Sequence, residues 1–105
     1  PPLSPYSSEN STLGVVATDA TLTKEQCARL ATMGHAGMAR AIRPVNTPVD
    51  GDIVFALATC ETDAETDLVQ LGALAARAVE RAIVRGVQSA TGLAGVPSAS
   101  EWPSA

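Results

Sequence analysis

Asn10 and Ser11 are the first neighbouring residues in this sequence that could do chemistry together, because they join a polar segment to a strand-like run. A serine hydroxyl can attack the carbonyl carbon of the preceding residue and form an ester that water resolves. The freed Ser11 amine, with an ordinary pKa of about 7.7–8.0, could then act as a base. One residue would supply nucleophile and base, although an Asn-Ser pair beside a strand is also an ordinary turn or strand start.

Asp50, Gly51 and Asp52 precede the second strand-like run. Glycine lets the backbone turn, and two carboxylates two residues apart point the same way if the chain is extended. They could orient a nucleophile or its protonated amine. The alternative is a plain turn in which Asp50 caps the chain and Asp52 faces solvent.

The single histidine and the two cysteines show no spacing typical of a metal or redox site. His35 lies at the margin of a helical apolar stripe, which favours a packed or surface histidine over a catalytic one. Cys27 and Cys60 are predicted to be buried small hydrophobic residues. The sequence therefore predicts neither a metal ion nor an organic cofactor. Five further acidic residues are explained by the preference of acids for turns and first helical turns, and no chemistry is assigned to them: Asp19, Glu61, Asp63, Glu65 and Asp67.

Two short apolar runs predict the strands that must position these residues. Thr12–Thr18 and Asp52–Thr59 are rich in β-branched residues and are bounded by turn residues. Runs of this kind are typical of strands buried on both faces of a parallel sheet. We expect the first of them to be a central strand.

Two amphipathic helices are predicted after the strands. Capping boxes at Thr23–Gln26 and Thr62–Glu65 open apolar stripes that run to Pro44 and Gly92. Small residues on the inner face of the first helix, including Gly34, allow it to pack closely against a neighbour. The order of elements is β-α-β-α, and the fold class is α/β.

A β-α-β-α unit with only two apolar strands does not make a stable sheet by itself. We expect further strands from a missing N-terminal region, from a second chain or from copies of this chain. Residues 1–10 read as an exposed linker, 11–92 as the folded segment and 93–105 as a polar tail. The Pro-rich opening without an initiator Met suggests a processed product or a piece of a longer reading frame.

Composition narrows the classes of partner. Seven basic residues stand against eleven acidic ones, and the net charge of −4 argues against nucleic acid as a main partner. No apolar run reaches the roughly 18 residues that span a bilayer. We expect no membrane partner and a cytoplasmic protein.

Three blocks of the sequence, NSTLGVVATDATLTKEQ, RLATMGHAGMARAIRP and DGDIVFALAT, occur in this order between about residues 10 and 91. Together they resemble the C-terminal part of the DmpA-type L-aminopeptidase/D-amidase/D-esterase family. That family includes β-peptidyl aminopeptidases and endo-type nylon-oligomer hydrolases, and the latter look closest.

The resemblance implies a precursor that cleaves itself into a large and a small subunit within a four-layer α/β/β/α fold. Ser11 takes the place of the nucleophile that begins the small subunit, and Asn10-Ser11 that of the cleavage site. Asp50 and Asp52 match acidic or hydroxyl residues, and Asp52 is implied to bond the amine or hydroxyl of the nucleophile. The large subunit is implied to supply an Asn and a Lys or Tyr.

The sequence therefore predicts an amide or peptide hydrolase that acts on small linear amides without a metal or cofactor. Its partners would be the large-subunit region of the same precursor and further copies of that heterodimer. Two alternatives stay open: a non-catalytic assembly module or inactive fragment, and an acyltransferase resembling ornithine acetyltransferases.

Overall fold

The computed structural model describes residues 11–48, 51–63 and 65–102. These form β1 (Leu13–Thr18), α1 (Lys24–Ala41), β2 (Ile53–Ala58), α2 (Leu68–Ser89) and a short 3₁₀ helix at Ala99–Glu101. The predicted α/β class and β-α-β-α order are confirmed. The linker expected at residues 1–10 lies outside the described residues.

The two strands form a parallel sheet in which Leu13 lies opposite Ile53 and Thr18 lies opposite Ala58. α1 makes the crossover between them, as parallel neighbours require. Because the strands are parallel and in register, both begin at the same end of the sheet. This brings the segment before β1 next to the segment before β2.

α1 begins where the capping box at Thr23 predicted it. The Gln26 amide donates to the Thr23 hydroxyl at 3.1 Å, and the Thr23 amide donates to the Gln26 side chain at 2.8 Å. The helix ends at Ala41, after 18 residues or five turns. The sequence therefore predicted the start of this helix correctly.

Both helices cover one face of the sheet. Val16 of β1 and Val54 of β2 face them and belong to a core in which Leu30 and Met38 of α1 are fully buried. α2 adds Val79 to the same core. Burial of these apolar side chains is the main force that holds helices to sheet.

Glycines let α1 approach its neighbours as closely as predicted. A Cβ atom at Gly37 would lie 1.9 Å from the carbonyl oxygen of Ala76 in α2, a distance that no side chain could occupy. A Cβ atom at Gly34 would lie 3.0 Å from a methyl group of Val16. α1 is thereby pressed against both α2 and the sheet.

The prediction that both strands are buried on both faces is wrong for the described part of the chain. Leu13, Val15 and Phe55 are 69%, 63% and 53% exposed, on the face opposite the helices. Both helices lie on the same side, and no described element covers the other. The sheet therefore has one packed face and one open apolar face.

The second predicted capping box is also wrong. α2 begins at Leu68, and its cap is Asp67, whose carboxylate accepts from backbone amides in the first turn. The Thr62 hydroxyl donates instead to the carbonyl oxygen of Asp19, at 3.3 Å. Thr62 therefore helps to close the loop after β2, and Asp67 caps α2 in its place.

Candidate functional site

The chemistry-bearing residues that the structure brings together lie where both strands begin. The Ile53 amide donates to the carbonyl oxygen of Thr12 at 2.9 Å, which extends the sheet ladder toward Ser11. The Thr12 amide donates to Oδ1 of Asp52 at 3.1 Å. The Asp52 carboxylate therefore holds the peptide group that directly follows Ser11, forty residues away along the chain.

The second oxygen of Asp52 is also bonded. The backbone amide of Asn46 donates to Oδ2 at 2.9 Å. Asn46 has φ of 57°, a left-handed conformation that asparagine tolerates better than most residues. A carboxylate that accepts from backbone amides on two separate segments is held in position by both of them.

His35 reaches this site from the middle of α1. Its Nε2 atom lies 2.7 Å from Nδ2 of Asn46, so a bonded chain runs from α1 through the loop to Asp52. The sequence favoured a packed or surface role for His35, and the structure shows it half-buried beside the strand start. Only a weak sequence signal could have placed His35 here: a crossover helix runs back toward the end of the sheet where the next strand begins.

Two cavities adjoin the strand starts. One of about 270 Å³ lies between α1 and β2, with both His35 and Asp52 in its wall. Another of about 410 Å³ runs along β1 against α2, and begins at Thr12. Apolar residues of α2 line this second cavity, including Val79 and Ile83.

Ser11 is exposed and lies two residues before β1. Asn10 and Asp50 lie outside the described residues, so the geometry of the predicted cleavage bond and of the second carboxylate is left open. The two predicted catalytic residues that are described, Ser11 and Asp52, are neighbours at one sheet end. The amide of the next residue, Thr12, donates the hydrogen bond that Asp52 accepts.

The predicted burial of both cysteines is wrong for Cys60, which is exposed, while Cys27 is half-buried. Cys60 has φ of 57° in the turn that leaves β2, and its thiol is 3.8 Å from the carbonyl oxygen of Leu22. The turn geometry places the side chain outside the core. Within the described ranges, no three metal-binding side chains gather at one place.

None of the helices in the described part of the chain combines the length and apolar character needed to cross a membrane.

Residues 3–100 match the model of peptidase family S58. The chain belongs to this family. Proteins named uncharacterized aminopeptidases in Mycobacterium bovis and Mycobacterium tuberculosis are each 44% identical to it over 102 residues, which cover 85% of this chain and 30% of the relative. One from Mycobacterium leprae is 44% identical over 108 residues, covering 90% of this chain and 30% of the relative.

Membership of family S58, the DmpA family, confirms the family resemblance carried by the three sequence blocks. The chain spans 30% of the length of these curated relatives. Their names refer to aminopeptidases, and the narrower likeness to nylon-oligomer hydrolases stays a prediction. The S58 chain thus brings Ser11, Asp52, Asn46 and His35 to one end of its sheet.

Proposed function

We propose that this chain is the nucleophile-bearing part of a self-processing amide or peptide hydrolase, with Ser11 as the nucleophile. The observation that carries the proposal is the hydrogen bond from the Thr12 amide to Asp52. It fixes the peptide group after Ser11 at a rigid strand start, while Ser11 itself is exposed. Membership of a peptidase family supports the same chemistry.

Self-cleavage would begin when Oγ of Ser11 attacks the carbonyl carbon of Asn10. The C–O ester bond forms, the Asn10–Ser11 C–N bond breaks, and the hydroxyl proton ends on the new amine of Ser11. Water then hydrolyses the ester and leaves a carboxylate on Asn10 and a free hydroxyl on Ser11. The products together weigh one water more than the precursor.

In turnover the neutral amine of Ser11 accepts the hydroxyl proton as Oγ attacks the amide carbon of the substrate. The proton passes to the leaving amine, and the acyl group stays on Oγ as an ester until water releases it. Asp52 holds the main chain beside the nucleophile, and its negative charge favours the protonated amine that forms during attack. This sequence of steps needs no metal ion or organic cofactor.

The partner in this proposal is the large-subunit region of the same precursor. The open sheet face presents Leu13, Val15 and Phe55, each more than half exposed, as a continuous apolar surface. Soluble proteins seldom leave such a surface uncovered. A second sheet packed there would produce the four-layer arrangement implied by the family, and would supply the oxyanion and substrate contacts.

Small linear amides are the proposed substrates, either an N-terminal residue of a peptide or an oligoamide. The relatives named aminopeptidases favour the first. The competing function is a non-catalytic assembly module, favoured by the same open apolar face.

Intact-mass spectrometry of the full-length gene product tests the proposal. The wild type should yield two species that sum to the precursor plus one water and elute together in size-exclusion chromatography. Ser11→Ala should yield one uncleaved species without amidase activity, while the exposed Ser89→Ala control should cleave normally. Scission at this bond in Ser11→Ala would exclude Ser11 as the nucleophile, and an uncleaved, inactive wild type would favour the assembly module.

A further inference from the structure

A chain of three hydrogen bonds joins α1 to the residue after Ser11. Nε2 of His35 lies 2.7 Å from Nδ2 of Asn46, the Asn46 amide lies 2.9 Å from Oδ2 of Asp52, and Oδ1 of Asp52 lies 3.1 Å from the Thr12 amide. The first bond joins the helix to the loop after it, the second joins that loop to the start of β2, and the third joins the starts of the two strands. The arrangement ties the carboxylate to a rigid helix.

Asn46 is the residue in this series of hydrogen bonds that has an unfavourable backbone conformation. Its backbone amide meets Asp52 while the residue holds φ of 57°, a conformation that costs a non-glycine residue free energy. Such backbone geometry persists where surrounding contacts hold it. The contact from the Asn46 side chain runs to His35 and restrains the loop at this residue.

His35 is well suited to hold the loop. The helix around it is fixed, since the neighbouring Gly34 is buried against Val16. An amide nitrogen can only donate, so in this contact Nε2 of His35 accepts from Nδ2 of Asn46. The ring is half-buried and lies outside the core cluster.

We propose that His35 is a positioning residue for the reaction, acting through Asn46 to aim the Asp52 carboxylate at the main chain beside Ser11. The inference rests on the proposed function, because it assigns His35 to the same site. His35 touches neither the substrate nor the nucleophile in this scheme. Its loss should let the Asn46 loop move and leave Asp52 held by Thr12 alone.

Steady-state kinetics and self-cleavage rates of full-length variants test this inference. His35→Leu removes the hydrogen-bond acceptor but keeps an apolar side chain, whereas His35→Gln keeps an acceptor oxygen near the position of Nε2. His35→Leu should lower kcat and the cleavage rate by about three- to tenfold, the scale of one lost hydrogen bond, with KM unchanged. His35→Gln should restore most of the loss.

Asn46→Gly provides an independent test, because glycine adopts positive φ freely but lacks the side chain that bonds His35. It should be as slow as His35→Leu, and the double variant should be no slower than either, since both changes break one bond. Wild-type rates in His35→Leu or in Asn46→Gly would overturn the inference. So would equal losses in His35→Leu and His35→Gln, which would indicate a structural role alone.

Ser11→Ala in the same series separates the two proposals. If it is inactive while His35→Leu matches the wild type, the positioning role fails and the proposed function stands. If Ser11→Ala keeps hydrolysing the substrate, the proposed function fails, and the positioning role fails with it.

Discussion

The two ends of the sheet are closed in different ways. After the strands, the Thr59 amide donates to the carbonyl oxygen of Thr18 at 2.9 Å, and the amides of Glu61 and Thr62 donate to that of Asp19 at 2.9 and 3.1 Å. Before the strands, a side-chain carboxylate takes the place of those carbonyl oxygens. Main-chain bonds predominate at the end after the strands, where the Thr62 hydroxyl adds one to Asp19, whereas a charged side chain, Asp52, bonds the segments at the other end.

This difference sets the end with the proposed chemistry apart from the other. A carbonyl oxygen that closes a turn has no net charge and depends little on which side chain the residue carries. A carboxylate brings a charge beside Ser11, and it accepts from the backbone amide of Asn46, whose side chain contacts His35. In many α/β sheets ligands bind outside the carboxyl ends of strands, whereas the reactive groups proposed for this chain lie at the amino ends.

The largest effect should come from changing the carboxylate at the reactive end. Asp52→Asn removes the charge and turns one acceptor into a donor that faces a backbone amide. We expect kcat and the self-cleavage rate to fall by about 10²–10⁴-fold, the scale of lost acid-base assistance, with the fold preserved. Steady-state kinetics and circular dichroism of the full-length protein measure the two.

Asp19→Asn is the matched control at the opposite end. Asp19 serves there through its backbone carbonyl oxygen, which the substitution leaves in place. The variant should keep wild-type rates. If both variants slow the reaction equally, the contrast between the two ends is false, and unchanged rates in Asp52→Asn would return that residue to a turn.

Gly37→Ala should have a smaller effect. It should lower the stability of the whole fold and should not act on one end of the sheet in particular. The added methyl group would collide with the Ala76 carbonyl, 1.9 Å away, so α1 and α2 must separate. Overpacking of this kind costs about 1–3 kcal/mol, or more where backbone must move. Gly86→Ala is the control, because nothing lies within 4 Å of its site, and it should gain about 1 kcal/mol from helix propensity.

Chemical denaturation of the full-length variants distinguishes these outcomes. Activity per folded molecule should change little in either one, because neither glycine is part of the hydrogen-bonded chain at Asp52. A stable Gly37→Ala protein would mean that the two helices are not packed as closely as described.

Sequence patterns could predict the elements but only part of the site. Apolar spacing and the Thr23 cap predicted α1, because a helix start depends on residues within one turn. The pairing of Ser11 with Asp52 was expected from the family resemblance, and the parallel strands, which begin side by side, bring the two residues to one end of the sheet. The contact of His35 with Asn46 could not be predicted, since it depends on a positive φ within a loop and on how far α1 reaches back.

The exposed strand faces show a different limit. Near-continuous apolar runs predict burial on both sides of the strands, which the described residues provide on one side only. The pattern indicates that both faces of the sheet need to be covered. The described β-α-β-α unit covers only the face that packs against the helices. Local sequence carries no information about which segment covers the remaining face.

The smallest effect should come from Glu101, a carboxylate bonded much like Asp52 but within its own segment. It accepts from the Ser98 hydroxyl at 2.7 Å and from the Gly92 amide. The Ser98 hydroxyl, with help from the Gly92 amide, holds the pKa of Glu101 below its ordinary value. A lowered pKa in the folded chain means that the charged form stabilises this segment above the pKa of the unfolded chain, about 4.3.

That stabilisation should be lost as the pH falls below about 4.3 and through the lower pKa of folded Glu101. Hydrogen exchange at the Gly92 amide, corrected for its intrinsic pH dependence, should therefore quicken in acid. Glu101→Gln should remove the pH dependence and leave catalysis at neutral pH unchanged, because no described contact joins Glu101 to Ser11 or Asp52. A catalytic defect in Glu101→Gln would show that a carboxylate outside the strand starts also serves the reaction, and would restrict the contrast to the sheet itself.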